Sequence, residues 1–354
     1  MSSTKFCCSD FLGHSVKPRK LRFDFISLNS AYYSLPVAGK FVSVAGLRRG
    51  PFTVSYRVST PVSVKFHASS IIGASSGESK ASSDELVGAN DLLIFGPGVL
   101  GRIITEKWRK EYPGCRIYGV TLTTDHHDEL IKLGIVPYLK GTQVTPTHKF
   151  PNVMFCAPPS RNPDYPGEIS EATLNWNGEG SFLFTSSSAA YDCNDNGSCD
   201  ENTPVVPLGR SPKTDTLINA EKLVLEAGGC VVRLAGLYKE DRGAHTFWLK
   251  KGSADIRPDH ILNLIHYEDA ASLSATILKK KFRSRIFLGC DNSPLSRQEV
   301  MELVNNSGKY NMKFEGFTGT TGPLGKKLNN SKTRAELGWE PKYLSFAQFL
   351  ETLE

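Results

Sequence analysis

The residues best placed for chemistry begin with three glycines. Gly96, Gly98 and Gly101 stand in the spacing GxGxxG within LLIFGPGVLGR, from Leu92 to Arg102. Leu92–Phe95 is an unbroken apolar run of the kind that forms a strand buried on both faces. Beyond the glycines, Leu100, Ile103, Ile104 and Trp108 fall on one helical face. Strand, glycine turn and helix therefore come in the order that a dinucleotide-binding turn requires. Gly96 permits the tight turn, Gly98 lets a diphosphate approach the backbone, and Gly101 lets helix pack on strand. The helix start offers free N–H groups and a positive dipole end to the phosphates. Gly96, Pro97, Gly98, Val99, Leu100, Gly101 and Arg102 are the expected cradle.

A second strand is expected over Arg116–Leu122, and its end reports on the cofactor. An NAD site wants Asp or Glu about twenty residues past the third glycine, to hold the ribose diol. That count lands on Thr121, Leu122, Thr123 and Thr124, and no acid is there. Asp125 comes slightly late and reads as the N-cap of a helix over Asp128–Leu133, ended by Gly134. The hydroxyls of Thr121 and Thr123 tolerate a 2′-phosphate, although no Arg is placed to clasp it. NADP is favoured, with NAD as the alternative.

These groups need a scaffold, and the pattern supplies one. Val153–Cys156 is an apolar run leading into Ala157, Pro158 and Pro159. Phe182–Phe184 leads into Thr185, Ser186, Ser187 and Ser188, and Val231–Leu234 follows an amphipathic helix over Thr216–Ala227. Repeated strand–helix alternation predicts an α/β fold with a doubly wound parallel sheet of the Rossmann kind. Ligands then sit at the carboxyl ends of the strands. Ala157, Pro158 and the serines share that rim with the glycine turn. Downstream, Ser296 and Glu299 form a capping box before Val300–Val304. Short helices are expected over Ser331–Leu337 and Ser345–Leu353, and Phe314–Leu324 reads as a Gly/Thr-rich loop. Lys326 and Lys327 read as solvated, with a phosphate contact as the alternative.

The 354-residue chain is 40% hydrophobic and 22% charged, enough apolar material for a folded core. Its net charge of +6 is unevenly spread. Residues 1–70 hold ten Lys and Arg against two Asp, so the remainder carries net −2. The front end is Ser-rich and acid-poor without a compact apolar segment, the composition of an organelle transit peptide. We therefore expect a transit peptide over 1–70, a flexible linker over 71–88, and one domain over 89–354 whose C-terminal lobe starts near 236. The chloroplast stroma is the expected location. The near-neutral remainder gives no bulk reason to bind nucleic acid or an anionic membrane. A small-molecule substrate is the expected partner, with a homodimer left open. Cysteine spacing fits neither a disulfide framework nor zinc.

Five segments in colinear order resemble the extended and atypical short-chain dehydrogenase/reductases, the superfamily of NAD-dependent epimerase/dehydratase-like proteins. They are Gly96–Gly101, FTSSSAAY (Phe184–Tyr191), VVRLAGLY (Val231–Tyr238), NLIHYEDAA (Asn263–Ala271) and NSKTRAELGWEPKY (Asn330–Tyr343). The likeness is nearest to an atypical subgroup of bacterial and plant proteins. It implies an active-site hydroxyl at Ser187, a small C-terminal substrate lobe, and a cleft floor at Arg233. The family's Tyr-x-x-x-Lys pair is missing. Aligning the family's helix Glu with Glu221 puts Lys213 at the Tyr position and Leu217 at the Lys position. Ser187 and Lys213 are then the catalytic candidates, with Asp215, Tyr191 or a lid residue as other proton carriers. Ser188, Arg242 and His266 are the substrate-facing candidates, with His245 nearby. The likeness also implies that His266 orders the loop beneath the cleft.

Between the serines and the next helix lies a polar insert, Asp192 to Asn202. Asp192, Asn194, Asn196 and Gly197 match the start of a calcium loop, but Thr203 stands where the bidentate Glu belongs. No metal is expected. Cys193 and Cys199 lie within this insert as two thiols in a loop, open to reversible pairing. Two functions from different classes follow: an NAD(P)-dependent oxidoreductase or epimerase-like enzyme, or a catalytically silent nucleotide-binding sensor, assembly or scaffold protein.

Overall fold

The apolar runs hydrogen-bond to one another side by side. The computed structural model describes residues 87–142, 148–159 and 164–354. The expected transit peptide and the linker up to residue 86 lie outside the described residues. The chain runs through β1 (Leu92–Phe95), α1 (Val99–Glu111), β2 (Ile117–Thr121), α2 (His127–Lys132), β3 (Ile135–Leu139), β4 (Asn152–Phe155), α3 (Tyr165–Thr173) and β5 (Phe182–Ser187). After β6 (Asp195–Cys199) come α4 (Pro212–Glu226), β7 (Cys230–Leu234), β8 (Gly236–Tyr238), α5 (Ala244–Lys251), β9 (Ser253–Ala254), β10 (Ile261–Leu262), β11 (Leu264–His266), α6 (Tyr267–Lys280) and β12 (Ile286–Gly289). The last part holds β13 (Leu295–Ser296), α7 (Arg297–Ser307), β14 (Gly316–Phe317), β15 (Gly325–Leu328), α8 (Ser331–Leu337) and α9 (Phe346–Glu351).

Seven strands form the central sheet in the order β3-β2-β1-β4-β5-β7-β12. Every neighbouring pair is parallel. The chain winds outward from β1 to β3, then returns to place β4 on the other side of β1. That reversal opens a crevice at the carboxyl ends of β1 and β4, where ligands bind in such sheets. The fold is the doubly wound α/β sheet that the alternation predicts.

Each strand alternates its side chains between two apolar layers. Leu92, Ile94, Met154, Leu183 and Val232 pack with Ile104 and Trp108 of α1 and Ala271 and Ile277 of α6. Leu93, Phe95, Phe155, Phe184 and Val231 pack with Tyr165 and Ile169 of α3 and Ala220 and Val224 of α4. The edge strand β12 is covered, which blunts a surface that would otherwise pair with other chains. Leu288 N donates to Thr333 Oγ1 (2.9 Å), and Asn330 Nδ2 donates to the carbonyls of Leu288 and Cys290 (3.1 and 2.9 Å).

A third apolar cluster builds the C-terminal lobe from Trp248, Leu262, Val300, Met301, Phe346 and Phe349, among others. The capping box at α7 is present: Ser296 and Glu299 each bond the other's backbone N–H. Three expectations are corrected. Residues Asp195–Cys199 are not loop but strand β6, which pairs with β15 and joins the lobe's four-stranded sheet. The N-cap of α2 is His126 rather than Asp125, so α2 opens without a side-chain cap. The Gly/Thr-rich loop contains β14, paired with β9.

Asp291, just past β12, is 3% exposed. Its Oδ1 accepts from Ser293 N (2.9 Å), while Oδ2 and the hydroxyl of Tyr238 find no partner among the described residues. Burial pushes its carboxyl up to about 7. A folded-state value above the unfolded one, about 3.9, means that stability present below pH ~4 is lost as pH rises through about 7. Urea unfolding should therefore show wild-type stability falling across that window by an amount on the order of a few kcal/mol. Asp291→Asn should flatten that slope and be the more stable protein at alkaline pH. An unchanged slope would remove Asp291 as its origin.

Candidate functional site

The glycine turn sits at the crevice between β1 and β4. Gly96 adopts φ +75°, and a Cβ there would lie 2.6 Å from the Ala157 Cα, so only glycine fits. Gly96 N donates to Val120 O (3.0 Å), tying the turn to β2. The Cys156 thiol donates to Gly96 O (3.1 Å), tying it to β4. Burial pushes that thiol up to about 12, so it stays protonated as a donor. Nothing in the apolar run Val153–Cys156 marks this contact, which only the fold reveals. A Cβ on Gly101 would lie 3.2 Å from Ile94 Cγ2, the close helix–strand packing expected of the third glycine.

Gly98 differs from the other two. It is exposed, and a Cβ there would meet nothing nearer than Gly96 O at 3.9 Å. It is the N-cap of α1, with no side-chain cap and no acid in the first turn. The N–H groups at Val99, Leu100 and Gly101 take no side-chain cap, the arrangement by which a helix start holds a diphosphate. Pro97 is buried against Gly119, and Ala157 receives the Tyr165 hydroxyl on its carbonyl (2.8 Å). Pro158 is exposed on the same rim.

At the end of β2, Thr121 Oγ1 lies 2.7 Å from His127 Nε2 and 3.3 Å from Tyr138 O, while Thr123 is exposed. Arg102 reaches across to α2, where Nη1 donates to Glu129 Oε2 (2.7 Å). Hydrogen bonds from Arg102 and then His126 hold the Glu129 carboxyl below its usual value. This ion pair engages the Arg102 guanidinium with α2 rather than with Thr121 or Thr123. Spacing along β2 gives no hint of it, because Arg102 arrives from the preceding helix.

Ser187 ends β5. Its Oγ accepts from Ala189 N (3.1 Å) and caps the 3₁₀ turn Ser188–Ala190. Beneath it, Ser186 Oγ donates to Glu221 Oε1 (2.5 Å), and Arg233 binds both carboxylate oxygens of Glu221, the shortest contact being 2.6 Å. The Arg233 guanidinium also stacks 4.5 Å over the Tyr191 ring. Ser188 is half-buried, and its carbonyl receives Lys326 Nζ (3.1 Å), as does that of Tyr191 (2.7 Å). The reading of Lys326 as solvated is therefore corrected: β15 carries it inward, and burial lowers its pKa.

Lys213 is exposed in the first turn of α4, and Leu217 packs against the core cluster on that face. Arg242 is half-buried with its guanidinium against the Tyr267 hydroxyl. His266 is corrected from a substrate-facing group to a helix cap. Its Nδ1 accepts from Glu268 N (3.2 Å) at the start of α6, and Tyr238, Tyr343 and Phe349 enclose the ring. Burial lowers it to about 4, so it is neutral at physiological pH. His245 is likewise packed, against Tyr310 and Phe346, and also lowered to about 4 by burial.

Comparison with protein-family models and with curated proteins matches nothing. Solved structures do match. A functionally unknown conserved protein from Silicibacter pomeroyi is 21% identical, at a TM-score of 0.62, with 74% of this chain and 97% of that one covered. The dTDP-glucose 4,6-dehydratase of Bacillus anthracis, in complex with NAD, is 16% identical, at a TM-score of 0.61, with 74% and 94% covered. The UDP-glucose 4-epimerase of Thermotoga maritima, with UDP-glucose, is 15% identical, at a TM-score of 0.59, with 74% and 96% covered. The chain thus has the Rossmann fold of the NAD-dependent epimerases and dehydratases, as the motif resemblance implies.

The Glu221–Arg233 pair lies 4% exposed on both sides. Removing one member strands the other charge in the core, which typically costs about 3–5 kcal/mol. Glu221→Leu should lower urea stability by that order, and adding Arg233→Met should recover most of it. A mild Glu221→Leu phenotype would show that the pair is not the support of the serine turn.

Proposed function

We propose that this chain is an NADP-binding oxidoreductase or epimerase-like enzyme acting on a small polar metabolite in the plastid. The observation that carries the reading is Gly98, open above the uncapped start of α1 at the reversal of strand order. The residues fit the cofactor. Gly96–Arg102 would hold the diphosphate, Thr121 and Thr123 the ribose end, and Ala157 and Pro158 the rim toward the nicotinamide. Once bound, the nicotinamide supplies hydride transfer. The absence of a carboxylate among Thr121, Leu122, Thr123 and Thr124 supports NADP over NAD, since the threonine hydroxyls tolerate a 2′-phosphate. The NAD and UDP-glucose complexes among the structural neighbours support the cofactor class and a polar substrate. The Ser-rich, basic front end supports the plastid location.

On the chain's own side, Ser187 accepts one hydrogen bond from Ala189 N and keeps its O–H to donate to a substrate oxygen. Ser188 and Arg242 complete the polar rim, and Lys213 at the start of α4 is the amine nearest the position of the family's Tyr. A second reading, a silent nucleotide-binding sensor, assembly or scaffold protein, is favoured by Leu217. An apolar, packed side chain occupies the place of the family's ribose-holding Lys.

Gly98→Ala should leave the melting temperature within a few degrees of wild type yet weaken NADPH binding roughly tenfold or more by titration calorimetry. Gly96→Ala should instead lower the melting temperature itself. Unaltered NADPH affinity in Gly98→Ala would remove the cradle.

NADPH should also bind more tightly than NADH, and Thr123→Asp should narrow that gap about tenfold, since a carboxylate there repels a 2′-phosphate. Equal affinities in the wild type would refute the NADP assignment. A metabolite screen of wild type against Ser187→Ala then separates the two readings, since turnover that depends on Ser187 belongs only to an enzyme.

A further inference from the structure

We propose that Cys193 and Cys199 are a dithiol that closes to an intramolecular disulfide by exchange with an external disulfide such as glutathione disulfide. The inference stands on the geometry of the segment joining the serine turn to the lobe and does not depend on the nucleotide reading.

Both thiols are free in the structure. The chain between them curls back on itself. Asp195 Oδ1 accepts from Gly197 N (3.1 Å), and Asn196 takes φ +69°. The curl brings the Cys193 sulfur to 3.2 Å from the point where a Cβ on Gly197 would stand. Any side chain there would displace the sulfur. Gly197 is two residues from Cys199, at most about 7 Å of extended backbone. Cys199 belongs to the core cluster beneath the sheet, and Cys193 packs against that same cluster. Burial raises the pKa of Cys199, while Thr203 and Lys326 lower it and Cys193 adds a smaller rise. The remaining described cysteines sit on other elements: Cys115 ahead of β2, Cys156 after β4, Cys230 in β7 and Cys290 after β12.

Exposure assigns the order of events. Cys193 is half-buried and can meet an incoming disulfide, whereas Cys199 is 1% exposed and can only resolve. The Cys193 thiolate attacks one sulfur of the added disulfide, whose S–S bond breaks to release one thiolate. The Cys199 thiolate then attacks the Cys193 sulfur and expels the second. Two protein thiols are oxidised, one external disulfide is reduced to two thiols, and the two protons pass to the leaving groups.

The charges facing this pair set its rate. Burial and then the Asp195 carboxylate, which accepts the Cys193 S–H (3.4 Å), hold that thiol protonated. The Lys326 ammonium on β15 opposes them at both sulfurs, and Asp192 is occupied by Arg210. The same Lys326 holds the carbonyls of Ser188 and Tyr191, so the bond would close inside the network that positions the serine turn.

The test treats the reduced full-length protein with glutathione disulfide at neutral pH, blocks residual thiols with an alkylating agent, and maps tryptic peptides by mass. No Lys or Arg separates the two cysteines, so one peptide carries both. The expected product is that peptide lighter by two hydrogens, unalkylated and without retained glutathione. Cys199→Ser should stop at glutathione on Cys193. Asp195→Asn should close the bond several-fold faster, a change that a purely structural carboxylate would not produce. Wild type that keeps glutathione on Cys193, or in which both thiols are alkylated after oxidation, would overturn the proposal. Either result leaves the NADPH titration untouched.

Discussion

The turn after β1 and the turn after β4 approach each other so closely that no side chain fits between them. Gly96 sits against the backbone of Ala157, with the Cys156 thiol bonded to the Gly96 carbonyl. This contact fixes where the chain leaves the sheet and therefore where α1 begins. Gly101 then brings α1 down onto Ile94, and α1 in turn packs on α6. Because α6 starts at the His266 cap and carries Asp269, the contact reaches the C-terminal lobe as well. Asp269 accepts from the backbone of Lys342 and Tyr343 (2.7 and 3.0 Å), fastening the last segment of the chain.

A second set of polar contacts governs the other half of the rim. Ser186, Glu221, Arg233 and Tyr191 form a buried chain below the serine turn, and Lys326 reaches the same turn from the lobe. A buried ion pair contributes little net stability compared with apolar residues of the same shape. Its directional bonds nevertheless specify one arrangement of β5, α4 and β7, which three apolar layers alone would leave looser. Ser187 inherits its position from this arrangement.

Much of the fold was legible because strand burial and helix periodicity are local signals. Leu92–Phe95 read as a doubly buried strand and Phe182–Phe184 and Val231–Leu234 as strands, and all three are buried strands. Gly96 and Gly101 were also legible, since the tight turn and the close helix packing that their spacing implies are present. What escaped depended on distant partners. Lys326 looked like a surface lysine because nothing in its neighbours says that β15 pairs with β6. Asp195–Cys199 looked like loop because its residues have low strand propensity, and long-range pairing overrode that preference. Arg102 was counted with the cradle, yet its guanidinium is paired with Glu129 of α2. His266 read as substrate-facing, but enclosure by three aromatic rings decides its charge, and those rings come from β8, α9 and the segment before α9.

Those histidines narrow the chemistry of the rim. His245 and His266 are both lowered to about 4 by burial, so neither carries a proton near neutrality. Tyr191 is pushed the other way by burial, its hydroxyl enclosed without a hydrogen-bond partner among the described residues. With Leu217 packed and Lys213 exposed, no side chain in α4 reproduces a tyrosine activated by a neighbouring lysine. The serine turn itself offers the Ser187 hydroxyl and the Lys326 ammonium, which the Ser188 and Tyr191 carbonyls hold and whose pKa burial lowers. Such groups orient a polar ligand and stabilise charge by hydrogen bonding. On the proposed reading, a reaction here rests on orientation beside the nicotinamide more than on a tyrosine–lysine proton relay. That same deficit makes the silent nucleotide-binding reading a physical alternative rather than a formal one.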